Sequence, residues 1–477
     1  MFKQKIYLGI GLAGICFAMA SCKVPAATQK VENKEVPLSY VSATDSLNSG
    51  KIQWRSFFTD PNLNSLIDTA LNRNQELQIT LQELEIAKSE IKLKQGQLLP
   101  SVEVRAGVGI EKIGRYTSQG AGDASTEITA GKEMPDPLPD YLLGVYGNWE
   151  VDIWHKLRNE KKAAVSRYLA SVQGKNFVVT NLVAEIANSY YELVALDTQL
   201  TIVKKNIELQ NNALEIIKIQ KEASRVTELA VRKFSAEVLN SQSLQYEIQQ
   251  KITEAENRIN FLLGRYPQPI ARSSTNFTDL IPADIHVGIP SQLLANRPDV
   301  KQAELELAAA KLDVKAARAE FYPSLGISGS IGLQAFDPSY LVKFPESMLY
   351  SLAGELAAPL INRNGLKAEL ASANAKQIQA IYNYERTILN AYVEVANQMS
   401  TISNSQKSYE LKSKQVDELT HSIDISNDLF RSARADYLEV LMTQRDALDA
   451  KLELVETKKQ QLNAVVNIYQ ALGGGWN

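Results

Sequence analysis

Two stretches of the chain repeat one another: residues 97–110 read QLLPSVEVRAGVGI and residues 320–333 read EFYPSLGISGSIGL. Pro100 and Pro323 stand 223 positions apart, so the chain is an internal duplication in which a helix gives way to a strand twice. After Pro100, Val102, Val104, Ala106, Val108 and Ile110 alternate with Glu103, Arg105, Gly107 and Gly109. After Pro323, Leu325, Ile327, Gly329, Ile331 and Leu333 alternate with Gly326, Ser328, Ser330, Gly332 and Gln334. A period of two is that of a strand. One face of each strand is apolar and the other tolerates water.

The same reading places return strands over about 141–151 and 349–358, after a polar Gly- and Pro-bearing loop at 111–140 and a shorter loop at 335–347. Between the strands run long Pro-free stretches rich in good helix formers. Helices are expected over 61–72, 75–98 and from 155 to near 218, a rod on the order of 90 Å at 1.5 Å per residue. A softer patch at 224–236 precedes a second rod ending at Leu263-Gly264, and Pro-bearing residues 264–296 form an equatorial linker. The second half repeats the plan with helices at 298–319, 363–423 and 436–471. The first repeat is thus 51–263 and the second 297–474. Val238-Leu239 and Gln242 match Val440-Leu441 and Gln444 at an offset of 202, and Leu263-Gly264 matches Leu472-Gly473 at 209, which implies one heptad added to the final helix.

The N-terminus carries Lys3 and Lys5, an apolar run over 6–20, and then Ala20-Ser21-Cys22. This is a secretory signal too short for a confident membrane span. The small residues before Cys22 resemble a lipobox, so 1–21 is expected to be removed, Cys22 lipidated, and 22–50 left as a flexible tether. Cys16 is the only other cysteine, which leaves no intrachain disulfide after processing.

A net charge of −3 with no basic block excludes a nucleic-acid groove, which needs clustered Lys and Arg. His155, His286 and His421 lie far apart with no metal-ligand spacing. Read as a catalytic acid pair, Asp299 and Glu304 lack any nucleophile-base constellation, and the segment is better explained as a helix start with Pro298 first and Asp299 in the first turn. Neither an enzyme nor a cofactor or metal site is expected. A lipid-anchored structural coiled coil competes, but such a tether has no use for four alternating strands.

Strands in hydrocarbon must close into a barrel, because an unpaired backbone edge is too costly there. Four strands are too few to enclose a passage. Several copies must share one barrel, and about ten alternating residues suit a tilted outer-membrane strand. The long helices continue the same wall, so the fold class is a mixed α/β membrane protein whose output is passage.

At this point the residues resemble a known family: the TolC-like outer-membrane channels of the OprM type, often called NodT-family efflux lipoproteins. The marks are the segment Leu294-Ala295-Asn296-Arg297-Pro298-Asp299-Val300 with Ala303-Glu304, the proline-led strand starts, the terminal Leu-Gly of the long helices, and Trp149-Glu150-Val151-Asp152-Ile153-Trp154 at a strand-to-helix junction. The resemblance implies a homotrimer with a twelve-stranded barrel in the outer membrane of a Gram-negative cell, continuous with a periplasmic α-helical barrel. It implies as partners a periplasmic adaptor protein and an inner-membrane resistance-nodulation-division (RND) transporter, with a type I, ABC-driven or heavy-metal exporter as the alternative.

The resemblance also locates a gate at the helix turns farthest from the strands, narrowed by aromatic and acidic residues. Glu237 and Glu439, each followed by Val, occupy the family's aspartate-valine positions, and Phe430 stands at the aromatic constriction. Arg434 and Asp436 are close enough in sequence to join that network, while Ala433 replaces the usual glycine. Trp54, Phe57 and Phe58 are expected to pack the N-terminal segment onto the middle belt, and Tyr141, Tyr146 and Trp149 to form a membrane-interface girdle.

Overall fold

The structure is a computed structural model that describes residues 30–40, 47–272, 277, 280, 283–361, 363–432 and 434–476. The expected signal peptide 1–21, Cys22 and Ala433 lie outside the described residues. The helices are α1 (Trp54–Phe57), α2 (Pro61–Arg73), α3 (Gln75–Gly96), α4 (Ser118–Ser125), α5 (Lys156–Glu222), α6 (Glu228–Leu262), α7 (Ser291–Asn296), α8 (Pro298–Ala319), α9 (Pro338–Leu341), α10 (Asn364–Arg431) and α11 (Tyr437–Ala471). The strands are β1 (Ser101–Glu111), β2 (Glu127–Thr129), β3 (Lys132–Glu133), β4 (Leu138–Val151), β5 (Ser324–Ala335) and β6 (Met348–Ala357). The chain forms two compact units that cut across the repeats. One takes residues 86–168 and 305–381, the other 32–85, 169–304 and 382–477.

In the first unit β1, β4, β5 and β6 make one antiparallel sheet in that order, leaving β1 and β6 as its edges. Register turns the alternation of single strands into two continuous faces. Val104, Val145, Ile331 and Tyr350 stand in one row across the sheet, and Ala106, Leu143, Leu333 and Met348 in the next. On the reverse face the rows read Glu103, Tyr146, Ser330, Ser351 and Ser101, Asn148, Ser328, Ala353, with the Ser330 and Ser351 hydroxyls 2.7 Å apart. A one-residue slip would exchange the faces, so the pattern holds the register. Gly332 and Gly144 allow β4 and β5 to close there, because a Cβ on Gly332 would lie 2.6 Å from the Gly144 Cα. Tyr141 and Trp149 fall on the apolar face as expected of a girdle. Tyr146 does not: it lies on the polar face under the Arg105 guanidinium, 4.7 Å from its ring centroid. The loop at 111–140 also contains structure of its own, helix α4 and the β2–β3 hairpin.

The second unit is built of rods. Helix α5 has 67 residues, about 100 Å of rod at 1.5 Å per residue. Helices α6 and α11 both have 35 residues and begin 209 positions apart. The inferred heptad insertion is therefore absent; the repeat runs at 209 throughout these rods, pairing Glu185-Ile186-Ala187-Asn188 with Glu394-Val395-Ala396-Asn397. Residues seven apart lie on nearly the same helix face, about 20° from one another. That is why a match one heptad out of register still looked consistent. The rods also run further than expected, α10 to Arg431 and α6 from Glu228, which shrinks the soft patches to short turns.

Two of the family-like marks, the terminal Leu-Gly pairs and the segment around Arg297, turn out to belong to one clamp made twice. Gly264 and Gly473 end the two 35-residue rods with positive φ, 64° and 85°. A Cβ on either would strike a backbone carbonyl, that of Arg73 at 2.4 Å or that of Asn296 at 2.7 Å. Beside each, a side chain caps the rod: Asn74 donates to the Leu262 carbonyl at 2.9 Å, and Arg297 donates to the Ala471 carbonyl at 2.9 Å. Arg297 is buried and also binds Asp299 (3.0 and 2.6 Å) and Glu394 (2.7 Å). These partners keep the guanidinium charged despite its burial.

The core lies in this unit, where Trp54, Phe58, Leu63, Ile67, Tyr190, Ile259 and Tyr469 join one buried cluster. Phe57 stacks on Tyr469 at 4.0 Å, so the N-terminal aromatics pack inward. The expected flexible tether is anchored where it is described. Tyr40 is buried and stacks on Tyr392 at 5.4 Å, Lys34 pairs with Glu304 at 2.7 Å, and Ser49 and His286 exchange two hydrogen bonds of 2.8 and 2.9 Å. Polar composition alone suggested slack chain; one well-placed tyrosine overrides it.

Candidate functional site

Two features carry function, the two-faced sheet and the paired helix turns. Val102, Val104, Val108 and Ile110 are each about seventy per cent exposed, and Leu352 eighty-four per cent. An apolar face of this size is not left to water. Tyr141 and Trp149, eight residues apart on that face, bracket about 26 Å of strand, close to the height of an outer-membrane apolar band. On the reverse face Glu103, Arg105, Asp140, Glu150 and Glu355 provide the charge expected of a water-filled side.

The first helix turn, between α5 and α6, is closed by Arg225 N–H donating to the Gln220 carbonyl (2.9 Å) and Ser224 N–H to that of Lys221 (2.9 Å). Ser224 sits at φ 59°, a region that favours glycine. Replacing Ser224 by Gly is expected to relieve about 1 kcal/mol of strain and slow amide exchange at Arg225 about fivefold, read by mass spectrometry. Thr227 caps α6, and Glu228 pairs with Lys221 and Arg232, each at 2.8 Å. Those two cations, Lys221 foremost, hold the Glu228 carboxyl below the usual range.

The second turn, between α10 and α11, is closed by Arg434 N–H donating to the Leu429 carbonyl at 2.9 Å. Leu214, Ile217, Ala230, Phe234 and Val238 of the first hairpin form a buried cluster, and Phe430, Tyr437 and Leu441 of the second pack against it. The two turns are thereby brought together. Phe430 is half-buried in that cluster, while Arg434, Asp436 and Glu439 are exposed. Among the described residues none of these three side chains forms an ion pair within the protomer, and Asp436 does not cap α11 with its side chain.

The corrected register changes the pairing of acids. The counterpart of Glu439 is the buried Ala230, that of Asp436 is Thr227, and that of Arg434 is Arg225, an exposed residue that the offset of 202 concealed. Glu237 is half-buried in the tenth position of α6 rather than at the turn. The terminal Leu-Gly pairs, already 209 apart, were the signal that would have found Arg225. Among the described residues no group of three or more His, Cys, Asp or Glu is arranged to hold a metal.

Comparison with known proteins agrees with this geometry. The outer membrane efflux protein family model matches residues 66–265 and 289–474, one segment for each repeat. The chain is 27% identical to the pyoverdine export outer membrane protein OpmQ of Pseudomonas aeruginosa, over 98% of this chain and 97% of that protein. It is 25% identical to the cation efflux system protein CusC of Escherichia coli, over 91% and 90% of the two chains. Among solved structures, CusC superposes with a TM-score of 0.82 at 23% identity, covering 94% of this chain and 99% of that one. The open state of the Neisseria gonorrhoeae MtrE outer membrane channel gives 0.82 at 22% identity, covering 95% and 98%. The chain belongs to the outer membrane efflux protein family and is a TolC-like efflux duct of the outer membrane.

Proposed function

We propose that the protein is the passive outer-membrane exit duct of a tripartite RND-type efflux pump, working as a homotrimer with a periplasmic adaptor and an inner-membrane transporter. The observation that carries this reading is the sheet: an exposed apolar face, a polar face and two free edges, β1 and β6. Three copies joined edge to edge satisfy every edge and make twelve strands, with lipid outside and water inside. Lipidation of Cys22 would hold the assembly to the membrane. Relatives named for pyoverdine export and for cation efflux both match at least nine-tenths of this chain, which supports cargo choice by the transporter rather than the duct. Mild crosslinking in membranes followed by purification tests the partners: an adaptor with an RND transporter is expected, and an ABC transporter in its place overturns the assignment.

The periplasmic mouth is the gate in this reading. Asp436 and Glu439, exposed at the start of α11, form rings of acid around the three-fold axis, which favours cations and resists anions. Arg434 of one protomer closes the ring against an acid of the next, and Phe430 backs it. Glu237, about 14 Å along its rod from the turn, contributes less. Asp436→Ala with Glu439→Ala is expected to raise single-channel conductance severalfold and weaken cation preference. Unchanged conductance and ion preference in planar bilayers would remove the gate from these residues.

A further inference from the structure

The loops at the opposite end of the sheet are built rather than slack. Both leave the same end, because Glu111 pairs with Leu138 and Leu333 with Met348. In the first loop the β2–β3 hairpin is set by Gly131 at φ 77°, whose N–H donates to the Glu127 carboxylate at 2.8 Å. Its base is braced by Arg115 against Glu133 (3.5 Å) and Asp136 (3.9 Å). In the second loop Asp337 caps α9, and Tyr340 lies edge-on to Phe336 at 5.3 Å with the Lys343 ammonium 4.4 Å from its ring centroid.

One bond joins the two loops, between the Thr129 and Tyr340 hydroxyls at 2.8 Å. Around it lies a cavity of about 440 Å³ lined by Ile128, Thr129, Gln334, Phe336, Tyr340 and Lys343. Gln334 shows which side of the sheet this is. Its amide donates to both oxygens of Asp140 (2.9 and 3.0 Å), and both residues belong to the polar face. The joined loops therefore rest over the side that faces water. A single neutral hydrogen bond beside an open cavity is a weak closure, suited to opening.

Resting on the barrel reading above, we infer that the two outer loops form a second constriction over the lumen, latched by Thr129 and Tyr340, which limits the size of solute that passes the external mouth. The periplasmic mouth gates entry; this latch screens what crosses the outer opening in either direction.

The test uses Ser330→Cys, a reporter on the polar face, in whole cells treated with membrane-impermeant maleimides, one small and one carrying a bulky polymer. With the latch intact the small reagent labels and the bulky one lags. Tyr340→Phe or Thr129→Val is expected to raise the bulky reagent's rate about fivefold relative to the small one, the population shift for loss of one neutral hydrogen bond. The double variant should add nothing further. Equal rates for both reagents in the intact latch, or latch variants that leave their ratio unchanged, would overturn the constriction. If the small reagent labels Ser330→Cys in detergent but never in cells, the polar face does not open to the exterior, and the barrel reading fails instead.

Discussion

Ile331→Arg is expected to abolish assembly in the outer membrane, while Ser330→Arg, one residue earlier, leaves it nearly intact. Ile331 stands in the apolar row with Val104, Val145 and Tyr350, and Ser330 in the polar row with Glu103, Tyr146 and Ser351. An arginine facing the middle of the bilayer costs about 2–4 kcal/mol per chain, and the proposed trimer would carry three. On the water-filled side it costs little. Quantifying the proposed trimer in outer-membrane fractions after crosslinking checks both variants together. Equal yields would mean that the sheet does not divide lipid from water along this row.

Arg297→Ala is expected to destabilise the folded chain by about 3–5 kcal/mol, the cost of stripping one partner from a buried ion-pair network. The loss would orphan Asp299 and the Ala471 carbonyl, while the exposed Glu394 turns to water. Arg297→Lys recovers the charge but not the fork that reaches three partners, so it should restore only part of the loss. Asn74→Ala in the equivalent clamp removes a neutral bond and is expected to cost about 1–3 kcal/mol. The order Arg297→Ala, then Arg297→Lys and Asn74→Ala, in thermal unfolding of the detergent-solubilised protein is the check. A melting temperature for Arg297→Ala within about 1 °C of the parent, against the several degrees this loss implies, would contradict the clamp.

The clamp also shows where sequence reading stops. The repeated Pro100 and Pro323 strand starts are legible because alternation is a local property, and the four strands of the main sheet lie within a few residues of the expected spans. That Asn74 and Arg297 do the same work is not legible, since the two share no chemistry beyond an N–H donor. Their equivalence appears only when each reaches the last carbonyl of a rod from a distant part of the chain. Glu237 illustrates a different failure. A rod repeats its faces every seven residues, so the periodic pattern contains no absolute position, and only the helix ends supply one.

The sequence by itself determined the duplication, the strand faces, the long rods and the family, because each is written in periodicity or in short marks such as Leu294–Val300. Tertiary structure alone decided the docking of Tyr40 and the packing of Phe430 among the first hairpin's residues. The joining of the outer loops through Thr129 and Tyr340 belongs with these. Each of those depends on which distant surfaces meet, and the free energy of such contacts comes from burial and pairing between segments, which no local pattern encodes.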